Sequence, residues 1–395
     1  MLAATVRVAR DLDLAEECVQ EAYASALESW ARDGIPDNPA AWLTLIAKRR
    51  AMDAIRRERT FRAKLPMLVV PETDEPEPPQ EDDTVPDERL RLIFTCCHPA
   101  LPPEAQVALT LRLVCGATTP EVARAFLVSE PTMAARITRA KKKIAGARIP
   151  YRVPRAAELP DRLRPVLAVI HLLFTTGHTA PSGPALVRDD LVERALHLAR
   201  MLRDLMPDEP EVRGLLALLL VTDARRATRV DPDGRLLRLQ EQDRSRWDRG
   251  AIAEADDLIV GALRTGRAGR YALQAAIAAL YAQAPSFERT DWPQVVTVYD
   301  RLLEVWPSPV VALNRTVPLS YAVDPNAALT EVEALERDAR LAGYQYLPAI
   351  KADLLSRLGR GPEAATEYRR ALELTDNDAE RSFLAEQLRQ LVNPS

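Results

Sequence analysis

Residues 71–88, PETDEPEPPQEDDTVPDE, limit the folds open to this chain more than any other stretch. They hold nine acids, five prolines and no base. Proline removes amide donors and interrupts helices, like charges repel, and the segment has little to bury. It reads as an extended acidic tether. Whatever folds must therefore fold on either side of it.

On both sides the pattern is helical. Ala, Leu and Arg dominate, aromatics make up 5% of residues, and the Val/Ile/Thr alternation of strands is almost absent. The chain is predicted to be all-α. Its 395 residues suffice for two or three domains, each with a core. No run approaches the 18 apolar residues of a membrane span and no signal peptide is visible, so a cytoplasmic protein with no membrane partner is expected. Cys18, Cys96, Cys97 and Cys115 are scattered or adjacent, which suits a reducing compartment rather than a disulfide framework. The formal net charge of −4 would argue against nucleic acid if it were spread evenly. It is not, and local balance decides.

The strongest local imbalance follows the tether. Met133, Ile137, Ala140 and Ile144 recur at the spacing of one buried helix face. Thr132, Arg136, Arg139 and Lys143 repeat that spacing about 100° round and form an outward basic stripe. From Pro131 to Arg155 there is no acid. Upstream, Thr118-Thr119-Pro120-Glu121 predicts a helix start with Thr119 as N-cap and Pro120 at N1. Ser129-Glu130-Pro131 predicts a second start soon after Leu127, which stands where such turns often carry Gly. A short helix, a tight turn and a basic helix describe a helix-turn-helix.

Before the tether, a helix is expected from Leu12 to Trp30 with Leu14, Cys18, Ala22, Ser25 and Leu27 inward. Gly34–Pro39 breaks the pattern. Asn38 then caps a second helix with Pro39 at N1, running to about Glu58 on a core stripe of Trp42, Leu45, Ile46, Met52 and Ile55. Trp42 reads as a packing residue before a base-stacking one. The helix ends in Lys48, Arg49, Arg50, Arg56, Arg57 and Arg59, a second cationic surface.

These motifs carry a resemblance. Asp13-x-Ala15-Glu16-Glu17-x-x-Gln20-Glu21, Ala41-Trp42-Leu43-x-x-Ile46-Ala47 and Asp53-x-x-Arg56-Arg57 resemble region 2 of bacterial sigma factors of the extracytoplasmic-function group. Ser129-x-x-Thr132-Met133-x-x-Arg136-x-x-Arg139-Ala140 resembles their region 4. The order with the acidic linker matches too. With the run RLIFTCCHPAL and the long extension, the chain is similar to the subgroup bearing a C-terminal tetratricopeptide-like domain. Two departures stand out: Arg49 occupies a place where the family usually has Asn, and MLAATVRVAR starts inside what should be the first region 2 helix.

The resemblance implies roles. Asp13, Glu16, Glu17, Gln20 and Glu21 would dock on core RNA polymerase. Asn38 and its loop, with the helix from Trp42, would meet the non-template strand of the −10 element, and Arg56 and Arg57 would hold phosphates. Thr132, Arg136 and Arg139 would enter the −35 major groove, with Lys141, Lys142 and Lys143 on phosphates. The linker would thread toward the polymerase active centre. The implied layout is region 2 at 1–65, linker at 66–88, region 4 at 89–155 and a helical regulatory domain at 156–395.

The extension reads as helix after helix. Its clearest repeat runs Ala352-x-x-Leu355-x-x-Leu358-Gly359 to Glu363-Ala364-Ala365-x-x-Tyr368-x-x-Ala371-Leu372, the pattern of a tetratricopeptide unit. Leu191–Met206 with Pro210–Arg226 is a degenerate unit. Stacked pairs offer a concave surface for a regulatory protein or small ligand. Asp223–Arg229 and Gln242–Trp247 read as an internal salt-bridge network. Cys96-Cys97-His98 reads as small buried residues before Pro99, with no metal expected. No phosphate-binding glycine loop and no Ser/His/Asp arrangement is visible, so neither enzyme chemistry nor a cofactor is expected. The function expected is that of a sigma factor binding core RNA polymerase and promoter DNA. The rival is a polymerase-independent helix-turn-helix regulator with a tetratricopeptide sensor, and the remotest reading is a scaffold whose basic helices touch no DNA.

Overall fold

A computed structural model describes residues 1–64, 88–126, 128–155, 157–180, 186–231, 235–264, 266 and 268–392. Most of the tether and Leu127 lie outside these residues. Among the described residues every named element is a helix, and the sole β feature is an isolated bridge between Val230 and Leu236. The chain is all-α. It divides into two units, Met1–Val169 and Ile170–Ser395.

The first unit opens with α1 (Leu2–Ala9), α2 (Leu12–Asp33) and α3 (Pro39–Lys64), which pack on one another. Asp11 caps α2 by accepting from the Leu14 amide at 2.8 Å, and Asn38 caps α3 by accepting from Ala41 at 3.0 Å. The second cap is the expected one. The expected inner faces are rotated, however. In α2 the buried residues are Leu12, Ala15, Cys18, Val19, Ala22 and Ala26, whereas Leu27 is 78% exposed. In α3 Ala47 and Ala51 are buried, whereas Leu45 and Met52 are exposed. Small residues bring the backbones close and win the interface, and the large side chains are left on the rim. Trp42 is half-buried and packs against Trp30 at 5.5 Å between ring centroids.

The unit continues through α4 (Glu88–Cys96), α5 (Pro103–Leu113), α6 (Thr119–Ala125) and α7 (Glu130–Gly146). Glu88, read from sequence as the end of the tether, is the first residue of α4. The core here is built from Leu92, Ile93, Phe94, Leu109 and Met133, all fully buried. Cys96, Cys97 and Cys115 are buried thiols that form no disulfide among the described residues. The Cys97 Sγ lies 3.7 Å from the Thr110 hydroxyl. Burial pushes the Cys97 thiol up to about 12, so it stays protonated and packs as an apolar group.

The second unit takes in the rest of α8 (Leu159–His178), then α9 (Asp189–Leu205), α10 (Pro210–Asp223), α11 (Arg249–Leu263) and α12 (Arg270–Gln283). It continues with α13 (Trp292–Val305), α14 (Pro309–Ala322), α15 (Pro325–Leu335), α16 (Tyr346–Arg357), α17 (Gly361–Glu373) and α18 (Asp378–Val392). From α9 onward each helix packs on its successor, which makes an array of helical hairpins. Aspartates set many of the starts: Asp248, Asp291 and Asp324 each accept from an amide three residues on, at 3.0 Å. The expected Ala352–Leu372 unit is the α16–α17 hairpin, and Gly359 makes its turn at φ +75°. Helix α10 also packs against α12. A Cβ on Gly214 would sit 2.4 Å from the Ala272 amide nitrogen, so only glycine permits this crossing.

Candidate nucleic-acid interface

Helix α6 starts one residue earlier than the sequence reading placed it. Thr118, not Thr119, is the cap: its amide and hydroxyl both donate to Glu121, at 2.7 and 2.9 Å. The Thr-x-x-Glu spacing closes this reciprocal box, and Thr119 would put Val122 at the acid's place. Helix α7 starts as expected, with the Ser129 hydroxyl accepting from the Thr132 amide at 3.4 Å. Met133, Ile137, Ala140 and Ile144 are all buried, as the periodicity requires. Helix α7 packs on α5 and α6 through this face.

The opposite face is basic and open. Thr132, Arg139, Lys142 and Lys143 are exposed. Arg136 is half-buried, with its guanidinium over the Phe126 ring at 5.6 Å. That contact holds the guanidinium at the turn between the two helices. The Thr132 hydroxyl shares a hydrogen bond of 2.8 Å with Ser129, so part of its capacity is spent on the cap. Arg139 donates to the Ala135 carbonyl at 3.3 Å.

Lys141 departs from the group in which the resemblance put it. Its ammonium donates to Asp13 at 2.9 Å and to Glu16, and its side chain is only 12% exposed. Burial works against the Lys141 charge, but the hydrogen bonds to Glu16 and Asp13 outweigh it and raise the pKa. Arg112 also approaches Glu16, at 3.5 Å. The signal was in the helix period: two residues past Arg139, Lys141 lies about 160° round the helix and belongs to the other flank.

The remaining acids and amides of α2 divide. Glu21 pairs with Arg50 at 2.6 Å, and Arg50 also donates to the Ser25 hydroxyl at 2.6 Å. Glu17 and Gln20 are exposed. Asn38 is exposed but uses its side-chain oxygen as the α3 cap, so its Nδ2 is the group left to donate to a ligand. Arg56 and Arg57 are exposed near the end of α3. The structure therefore gathers Asp13, Glu16 and Lys141 into one cluster, while Asn38, Arg56 and Arg57 lie on α3 and its start. It also shows what the sequence reading misses. Tyr23, Leu27, Ile35, Leu45 and Met52 leave large apolar surface exposed on α2, α3 and the loop between them. Periodicity puts Leu27, Leu45 and Met52 inside because it does not rank alanine above leucine at a close crossing.

One further contact holds this unit together. The Tyr151 hydroxyl lies 2.8 Å from the Ala3 carbonyl and 2.9 Å from the Glu88 carbonyl, and Arg7 pairs with Glu88 at 2.9 Å. The start of α1, the start of α4 and the segment after α7 thus meet at one phenol.

Comparison with known proteins falls on the same elements. Residues 2–61 match Sigma-70 region 2 and residues 91–144 match Sigma-70 region 4. Residues 162–263 match a family of unknown function, DUF6596. An uncharacterized protein of Rhizobium meliloti (strain 1021) is 43% identical over 395 residues, covering 99% of this chain and 93% of its own length. The crystal structure of yeast Tom70 aligns over 98% of this chain and 82% of that one, with 11% identity and a TM-score of 0.40, below the level of a shared fold. Region 2 falls on the α1–α3 bundle and region 4 on the helices that present the basic face of α7, and with that placement the chain belongs to the sigma-70 family.

Proposed function

We propose that this protein is a sigma factor of the extracytoplasmic-function group that brings core RNA polymerase to two-part promoters. The observation that carries the reading is the two-faced α7. Its apolar side is buried and its outer side offers Thr132, Arg136, Arg139, Lys142 and Lys143 beside the turn from α6. Thr132, Arg136 and Arg139 read the upstream element in the major groove, and Lys142 and Lys143 hold phosphates. Asn38 and the exposed end of α3, with Arg56 and Arg57, take the melted downstream strand.

The polymerase-facing surface is α2. Asp13, Glu16, Glu17, Gln20 and Glu21 supply its polar part, and Tyr23 and Leu27, one turn apart, supply apolar area. Docking competes with internal pairs, since Asp13 and Glu16 are held by Lys141 and Glu21 by Arg50. Region 2 spans 1–65, the acidic linker 66–88, region 4 89–155, and a tetratricopeptide-like array from 156 modulates the whole. The protein acts in the cytoplasm as a binding factor rather than an enzyme. Among the described residues no helix is long and apolar enough to cross a membrane.

The test is run-off transcription with core polymerase, the protein and its own upstream region. A specific transcript is expected. The combined change Arg136→Ala and Arg139→Ala abolishes it while co-purification with core is kept. DNA binding with neither transcript nor core association would instead establish a polymerase-independent regulator.

A further inference from the structure

The second unit carries an open pocket of about 440 Å³, a size suited to a small organic molecule. One wall is aromatic. Trp292 stacks on Tyr321 with ring centroids 4.6 Å apart and planes at 23°, and Phe287 meets both edge-on at 4.9 and 5.2 Å. A flat apolar body finds a ready platform there.

The charged lining is unbalanced. Three guanidinium groups, from Arg225, Arg238 and Arg357, line the cavity with a single carboxylate, Asp353. Asp353 is shared by two of them, Arg238 at 3.1 Å and Arg357 at 3.9 Å. Arg238 is further tied to Gln387, and Arg357 donates to the Ser320 hydroxyl at 2.7 Å and lies 4.2 Å from the Tyr321 ring centre. Arg225 meets no carboxylate within ion-pair distance among the described residues. It rests against Trp247 at 5.8 Å, whose ring also carries Arg244 at 4.6 Å. Burial, and then the neighbouring Arg244 charge, lower the Arg225 pKa, yet a guanidinium keeps its charge. A partly dry cationic site beside an aromatic wall favours a negative group on an apolar body.

We infer that this cavity binds a small organic anion with a flat, aromatic-sized body, its negative group on Arg225 and the Arg238–Arg357 side and its body against Trp292 and Tyr321. The site lies within one unit, and its occupancy is read without polymerase or promoter. Its failure is therefore distinguishable from failure of the promoter reading.

The full-length protein is titrated with two fluorescent probes that share a ring body, 1-anilinonaphthalene-8-sulfonate and the neutral N-phenyl-1-naphthylamine. The sulfonate is expected to saturate at one molecule per chain, bind more tightly than the neutral probe, and be displaced by 2-naphthoate but not by 2-naphthol. Removing one charge-assisted hydrogen bond in Arg225→Met weakens the sulfonate about tenfold, with part recovered in Arg225→Lys and the neutral probe unchanged. Val317→Trp narrows the cavity from a lining position that is already 36% exposed, and blocks both probes without touching a cation. Equal affinity for the two probes, or sulfonate binding indifferent to 2-naphthoate, overturns the anion site. Unchanged binding in Val317→Trp overturns its location, and this holds even if Arg225→Met does not fold.

Discussion

Lys141 is the residue on which the first unit turns. Surrounded in sequence by other cations, it is spent on Asp13 and Glu16, and its own raised pKa records how well those acids hold it. Because Asp13 is mostly exposed, solvent screens half of that cluster. Lys141→Ala is therefore expected to cost the first unit about 1–3 kcal/mol in a denaturant melt. The same change should tighten association with core polymerase, since Asp13 and Glu16 are released, and labelled core titrated with both proteins measures this. Weaker association would mean the cluster supports the docking surface instead of competing with it.

Histidine gives a second residue-level consequence. Burial, then Arg270, holds His171 down at about 4, and burial, then Arg229 and Arg225, holds His178 at about 3. Both stay neutral in the folded chain and would take up protons near 6.5 when unfolded. A depressed base favours the unfolded state only once that state is protonated. Stability therefore sits at its plateau above about pH 6.5 and falls as the pH drops toward 4, each group adding up to about 1.4 kcal/mol per pH unit. Urea midpoints in steps from pH 7 to 4 should show this slope, and His171→Gln with His178→Gln should flatten it.

At the scale of elements, the crossing of α10 and α12 is the tightest test of packing. A methyl on Gly214 meets backbone at 2.4 Å, which no rotamer change relieves. Gly214→Ala is expected to destabilise the second unit by roughly 1–3 kcal/mol or more, read as a drop in its thermal midpoint. No change would mean that the helices separate at little cost.

This crossing also marks how far the sequence could be read. Helix type was legible throughout because strand alternation is nearly missing. The inner face of α7 was legible because its four apolar residues are large or regularly placed and its basic residues mark the outside. In α2 and α3 periodicity places Leu27, Leu45 and Met52 inward, and the structure exposes all three. Periodicity records apolarity, whereas close helix packing selects small volume, and Ala22, Ala26, Ala47 and Ala51 take the interface. The Thr118 cap was available from the Thr-x-x-Glu spacing, and proline at 120 points one residue too far. Pairings over long sequence separation, such as Lys141 to Asp13 or Arg238 to Asp353, have no local signature.

For the whole molecule, charge distribution matters more than charge. The chain carries a formal −4, yet Arg139, Lys142 and Lys143 stand together on one exposed helix face. Promoter binding by the polymerase complex should therefore depend steeply on salt despite the acidic total. Replacing these three residues with alanine is expected to reduce the slope of log K against log [salt] by about 0.9 for every phosphate they no longer neutralise. An unchanged slope would mean that other residues neutralise the phosphates.

Tyr151 carries a last consequence. By drawing the starts of α1 and α4 to the segment after α7, it helps tie the helix that follows the acidic stretch to the bundle that precedes it. That stretch is then a closed loop in the polymer sense, and its length enters stability only through a logarithm. Doubling it with neutral residues should loosen the joined state by only about 0.6 kcal/mol. Tyr151→Phe removes the one hydroxyl proton that the Ala3 and Glu88 carbonyls share, a loss of about 1 kcal/mol that is expected to exceed the cost of the entire insertion. The length of the tether is thus free to suit whatever lies in its path, while Tyr151, Arg7 and Lys141 keep the elements on its two sides together.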